Sequence, residues 1–169
     1  MKKETRLYNV LFPIWLLLLL PSYLWLLLIP LNYLVDTGVA YYALRNAEDE
    51  LPLARKKFCL KHSWKLCIVG FISDAVGSGV LLGITLLLEN YAAESQLSDA
   101  MLMNPFGNIF SLLIYLLIIA GVGILIYWID KRILSSAGLT LQRATTTAKW
   151  LGIITAPYLF LIPTEWIYS

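Results

Sequence analysis

Charge is scarce in this sequence: Asp, Glu, Lys and Arg make up 14% of its 169 residues, against roughly 25% in a soluble domain. So little charge cannot keep a chain that is 59% hydrophobic in water. A soluble globular domain, a disordered chain and a nucleic-acid binder are therefore excluded. Cysteine and histidine are scarce as well. Cys59 and Cys67 do not form a CxxC pair, and with His62 as the single histidine no zinc pattern can be completed. A lone histidine in a basic segment is expected to be a solvated surface residue. A Gly-rich phosphate cradle, a Walker pattern, a GxSxG elbow and an internal repeat are all missing.

Long apolar runs are what the sequence does have, and mean hydropathy is +0.72. The expected class is an all-α, polytopic transmembrane bundle forming one membrane domain over residues 1–169. Segments of about 66–88, 106–129 and 150–168 each have the length of one spanning helix, roughly 20 residues. The region Leu7 to Leu44 is different. As one helix its 38 residues would reach roughly 57 Å, nearly twice a ~30 Å hydrocarbon core.

Charge placement resolves that length. All 13 Lys and Arg fall in clusters at 2–6, 45–65 and 131–149, and none lies within 89–105. Basic loops stay in the cytoplasm. The stretch 7–44, flanked by two such clusters, is thus expected to be a hairpin of helices 7–21 and 24–44, turning at Pro21-Ser22-Tyr23. Five crossings follow, with the N-terminus in the cytoplasm, the C-terminus outside, cytoplasmic loops 45–65 and 130–149, and an external loop 89–105. A re-entrant first hairpin with three crossings, or four crossings in all, are the alternatives. The N-terminal run is too long for a signal peptide and is read as retained. The expected location is the cell membrane.

Asp36 and Asp74 lie inside these apolar segments, where a charged side chain is penalised by at least ~2.5 kcal/mol on insertion scales. Asp36 is nine residues before Arg45 and Asp74 nine after Lys65, so the two are expected at one depth on neighbouring antiparallel helices. Asn32 precedes Asp36 by one turn, and Ser73 and Ser78 flank Asp74. Gly77, Gly79 and Gly83 are expected to let helix backbones approach. Two carboxyls in contact in low dielectric share a proton or hold a cation between them. Asp36, Asp74, Asn32, Ser73 and Ser78 therefore form a candidate cation- or proton-binding site, the bound species being open and no cofactor expected. Asp130, beside Lys131 and Arg132, is expected to be a surface ion pair.

The arrangement Phe12-Pro13-x-Trp15, Pro30-x-Asn32-x3-Asp36 and Gly70-Phe71-x2-Asp74-x2-Gly77 resembles that of small bacterial multi-pass membrane proteins, a resemblance that implies no activity. The function expected from the residues is non-enzymatic: a subunit or oligomer of a membrane complex that binds or conducts a cation or proton through the Asp pair. A scaffold or immunity-type membrane interaction protein is the first alternative. A lipid-acting enzyme using the Asp pair is the second, weakened because no His, Lys or Arg lies within the apolar segments to serve as a base. The expected partners are the lipid bilayer and a second copy or other membrane subunits, with no nucleic acid.

Overall fold

The computed structural model describes residues 13–17, 23–47, 50–92 and 96–168. Every described element is helical: α1 (Ile14–Leu17), α2 (Leu24–Ala43), α3 (Arg55–Ala92), α4 (Gln96–Met103), α5 (Ile109–Ser136), α6 (Leu141–Ile154) and α7 (Glu165–Tyr168), with 3-10 turns at Pro105–Gly107 and Tyr158–Leu161. Among the described residues three helices are long and apolar enough to cross a membrane: Trp25–Ala43, Arg55–Tyr91 and Ile109–Ser136. In lipid the helix satisfies every backbone group internally, which is why apolar sequence of this length is helical. The first arm of the expected hairpin and its turn at Pro21 and Ser22 lie largely outside the described residues.

The helices run further than hydropathy alone implies. α3 has 38 residues, about 57 Å at the usual rise, and its first turns absorb the basic stretch from Arg55 to Lys65 that was expected to be loop. The expected loop 130–149 is also mostly helical, split between the end of α5 and the start of α6. Between them Gly138 adopts φ +100°, and a Cβ there would touch Pro52 at 3.4 Å. Glycine takes this left-handed conformation without strain.

The segment 150–168 departs most from expectation, because it is not one continuous helix. α6 ends at Ile154, and a 3-10 turn and the short α7 follow. Pro157 lacks an N–H and restricts Ala156, and Pro163 does the same further on, so helical hydrogen bonding cannot continue. The broken segment still travels the length of the bundle. α6 begins beside the end of α5, and at the other end the Thr164 amide donates to Met103 O at 2.8 Å.

Side-chain hydrogen bonds fix both ends. At the basic end Arg143 donates to Glu50 Oε1 at 3.0 Å and to Asn46 O at 2.9 Å, which places the second and third basic clusters together. At the far end Tyr115 donates to Met101 O at 2.7 Å, and Asn104 donates to Glu165 Oε1 at 2.7 Å. The side chains of Asn104 and Asn108 accept from the amides of Phe106 and Phe110 and so cap the 3-10 turn and α5.

The interior divides into two apolar clusters. One, toward the basic end, contains Ala40, Leu44, Phe58, Leu66, Ile126, Leu134 and Leu151. The other contains Trp15, Leu81, Met101, Tyr115 and Phe160. On α3 the buried positions between Leu66 and Leu81 are Cys67, Ser73, Asp74, Gly77 and Ser78. A polar layer therefore separates the two clusters on this helix.

Candidate functional site

The polar layer is held by close backbone approach. Gly77 faces α5 and the 3-10 turn, where an added Cβ would sit 2.7 Å from Val122 Cγ2 and 3.0 Å from the Phe160 ring. α5 and α6 cross through Gly123 and Gly152, each of which would drive a Cβ into the other's carbonyl oxygen, at 2.7 and 2.5 Å. Gly79 and Gly83 do not take part. Both are exposed, and no described residue lies within 4 Å of an added Cβ, so among the described residues the expected packing role falls to Gly77 alone of the three, joined by Gly123 and Gly152.

Asp36 and Asp74 are both buried, at 4% and 9% exposure. On α2, Asp36 shares its buried stripe with Ala40 and Leu44, at successive intervals of four residues. The antiparallel α2–α3 pair is fastened by Tyr33 Oη donating to Leu60 O at 3.2 Å, Arg55 donating to Tyr41 Oη at 2.9 Å, and Trp25 lying 6.0 Å from Phe71. Asp36 is within Coulombic reach of Asp74, yet among the described residues no hydrogen bond joins them, and Asp74 Oδ1 is buried without a partner.

Asp130 is the residue that sequence reasoning placed wrongly. It is not a surface ion pair with Lys131 and Arg132: it is 1% exposed, its Oδ1 has no hydrogen-bond partner among the described residues, and it too lies within Coulombic reach of Asp36. The signal was present in the spacing. Ile126, Asp130 and Leu134 recur every four residues and form one buried face of α5, whereas Arg132 lies on an exposed one. Asp36 is the common neighbour of two further buried acids.

The flanking hydroxyls are also open. Ser63 and Thr37 return theirs to the carbonyls four residues back, at 2.8 and 2.7 Å, the usual way a helix satisfies them. Ser73 and Ser78 are fully buried, and their oxygens, like that of Thr147 on α6, have no partner among the described residues.

Asn32 and Asp74 line one cavity of about 460 Å³, whose far wall is the break in the last segment, Thr155, Ala156 and Pro157. The end of α6 therefore borders the same space as Asp74. A helix C-terminus carries about half a negative charge; the Ile153 carbonyl, which loses its helical donor at Pro157, accepts instead from Tyr158 Oη at 2.6 Å, and the Leu151 carbonyl accepts from Thr155 Oγ1 at 2.8 Å. Asp74 and the helix dipole favour a positive occupant, within a lining that is otherwise largely apolar. Among the described residues no three His, Cys, Asp or Glu side chains converge closely enough to hold a metal ion.

Of the sequence-derived residues, Asn32 and Asp74 meet at the cavity, Asp36 stands within electrostatic range, and Ser73 and Ser78 line the buried face of α3. Asp130 and the α6 break are the additions. No family model, curated protein or solved structure matches this chain.

Proposed function

We propose that this chain is a multi-pass protein of the cell membrane that takes up and passes a proton or a small monovalent cation through Asp36, Asp74 and Asp130. It acts as an oligomer or as one subunit of a membrane complex. The observation that carries this reading is the cavity shared by Asn32, Asp74 and the α6 break, with Asp36 in Coulombic reach. Broken helices that line a cavity at membrane depth are a recurring way to build ion and proton sites. Buried acids are otherwise expensive in lipid. Acids spread around Asp36 suit stepwise proton movement better than a cage of 6–8 oxygens of the kind calcium needs.

In the proposed topology five segments cross, with the N-terminus in the cytoplasm and the broken segment from α6 to Thr164 as the last. Its support is the basic end, where the second and third Lys/Arg clusters meet through Arg143, Glu50 and Asn46.

Thermal unfolding of the full chain in detergent tests the reading, with wild type, Asp36→Asn and Asp74→Asn measured across pH and across Na⁺ and K⁺ concentration. A cation or proton site predicts stabilisation that depends on pH or salt identity and disappears in both variants. Equal loss of stability at every pH and salt would leave the acids as structural glue and end the proposal. A scaffold function, the second reading, draws on the exposed Gly79 and Gly83 on the outer face of α3. It predicts stable variants that lose a co-purifying membrane subunit.

A further inference from the structure

Where α3 passes the end of α5, His62, Lys65, Arg132, Ile133, Ser136 and Ala137 enclose a cavity of about 260 Å³. Arg132 and Ser136 also belong to an adjoining groove of about 630 Å³, lined by Tyr127, Trp128, Lys131 and Leu141. Among the described residues neither Lys65 nor Arg132 meets a carboxylate. Lys65 lies 5.6 Å above the Trp64 ring, and Lys131 lies 5.9 Å from that of Tyr127. The His62 ring packs on Phe58 at 4.6 Å, and its Nδ1 is buried with no hydrogen-bond partner among the described residues.

We infer that the cavity holds the phosphate of an anionic phospholipid, with an acyl chain lying along the groove. Lys65 and Arg132 supply charge-assisted donors from two helices, the guanidinium in a fork that fits phosphate oxygens. The Ser136 hydroxyl and the His62 ring nitrogen complete a polar lining. The groove decides between a lipid and a free phosphate ion. Trp128 and Leu141 remain 60% and 66% exposed beside the phosphate site, an apolar wall that an inorganic anion does not use and an acyl chain does. Basic pockets between membrane helices and interfacial Trp and Tyr recur where anionic headgroups bind. The inference rests on the chain being a membrane protein, and it is independent of any role for Asp36, Asp74 or Asp130.

The test uses the full chain in mild detergent, titrated with phosphatidylglycerol, phosphatidylcholine, or inorganic phosphate. Melting temperature and lipid retention in native mass spectrometry are the readouts. Phosphatidylglycerol is expected to raise the melting temperature saturably and to remain bound, while phosphatidylcholine and phosphate do neither. Lys65→Gln with Arg132→Gln should weaken phosphatidylglycerol binding about tenfold or more. Lys56→Gln with Lys57→Gln, which removes the same charge elsewhere on α3, should leave it unchanged. Equal retention of the two lipids by wild type overturns the inference whether or not the double variant folds. So does an equal effect of inorganic phosphate, or equal weakening by the Lys56/Lys57 pair.

Discussion

Gly77 stands so close to Val122 that a β-carbon on it would lie 2.7 Å from Val122 Cγ2. This contact brings α3 against α5 one turn from Asp74, and no rotamer of a larger residue at 77 leaves it intact. Gly77→Ala is expected to lower stability by about 1–3 kcal/mol through overpacking. Gly79→Ala, in open space on the same helix, should be neutral or raise stability by up to about 1 kcal/mol. Paired melting curves in one detergent check both, and equal destabilisation would show that the α3–α5 approach is not where the geometry puts it.

Asp36 is the shared electrostatic neighbour of Asp74 and Asp130. Replacements at Asp36 and Asp130 should therefore not be additive. A double-mutant cycle with Asp36→Asn and Asp130→Asn is expected to give a coupling of about 0.5–3 kcal/mol. The same cycle between Asp36 and the exposed Asp99 should give about zero within ~0.5 kcal/mol. Chemical or thermal unfolding of wild type and of the single and double variants of both cycles measures it, and additivity at Asp130 would remove that residue from the site.

The open hydroxyls separate stability from function. Ser78 is fully buried with no partner for its oxygen among the described residues. Replacing an unsatisfied hydroxyl by a small apolar group is close to neutral or stabilising. Ser78→Ala should therefore melt at or slightly above the wild-type temperature. If Ser78 serves proton or cation passage, the same variant should lose part of the pH or salt response. Unchanged melting with an unchanged response would exclude Ser78 from the site.

The Glu50–Arg143 tie gives a pH dependence outside the membrane segments. The hydrogen bond from Arg143 holds the Glu50 carboxyl below its ordinary value of 4.5, and Glu50 in turn raises Arg143. The folded state then binds fewer protons at Glu50 than the unfolded state does. The contribution is complete above pH 4.5 and fades as pH falls through the lowered value. Glu50→Gln should melt below wild type at neutral pH, and the two curves should converge in acid. High salt should narrow the gap at neutral pH as well, since both groups are exposed. A gap that persists in acid would mean that Glu50 acts through packing and not through its charge.

The helical class of the chain, the apolar stretches of its long helices and the anomaly of Asp36 and Asp74 within them were legible in the sequence, whereas the extension of α3 back to Arg55 and of α5 on to Ser136 was not. Each is a local property: a helix in lipid satisfies its own backbone, and an acid in an apolar run is anomalous wherever the run packs. What required tertiary structure was everything set by the crossing of helices. Asp130 looked like part of a charged end, because adjacency to Lys131 and Arg132 does not reveal which face of α5 turns inward. Gly79 and Gly83 looked like a packing motif, whereas the contacts fall at Gly77 and at Gly123 against Gly152. The run 150–168 had the hydropathy of a span, but hydropathy is blind to whether Pro157 interrupts it and to what lies across from the break. That the break faces Asp74 and Asn32 depends on helix register and close backbone approach, which no single segment encodes.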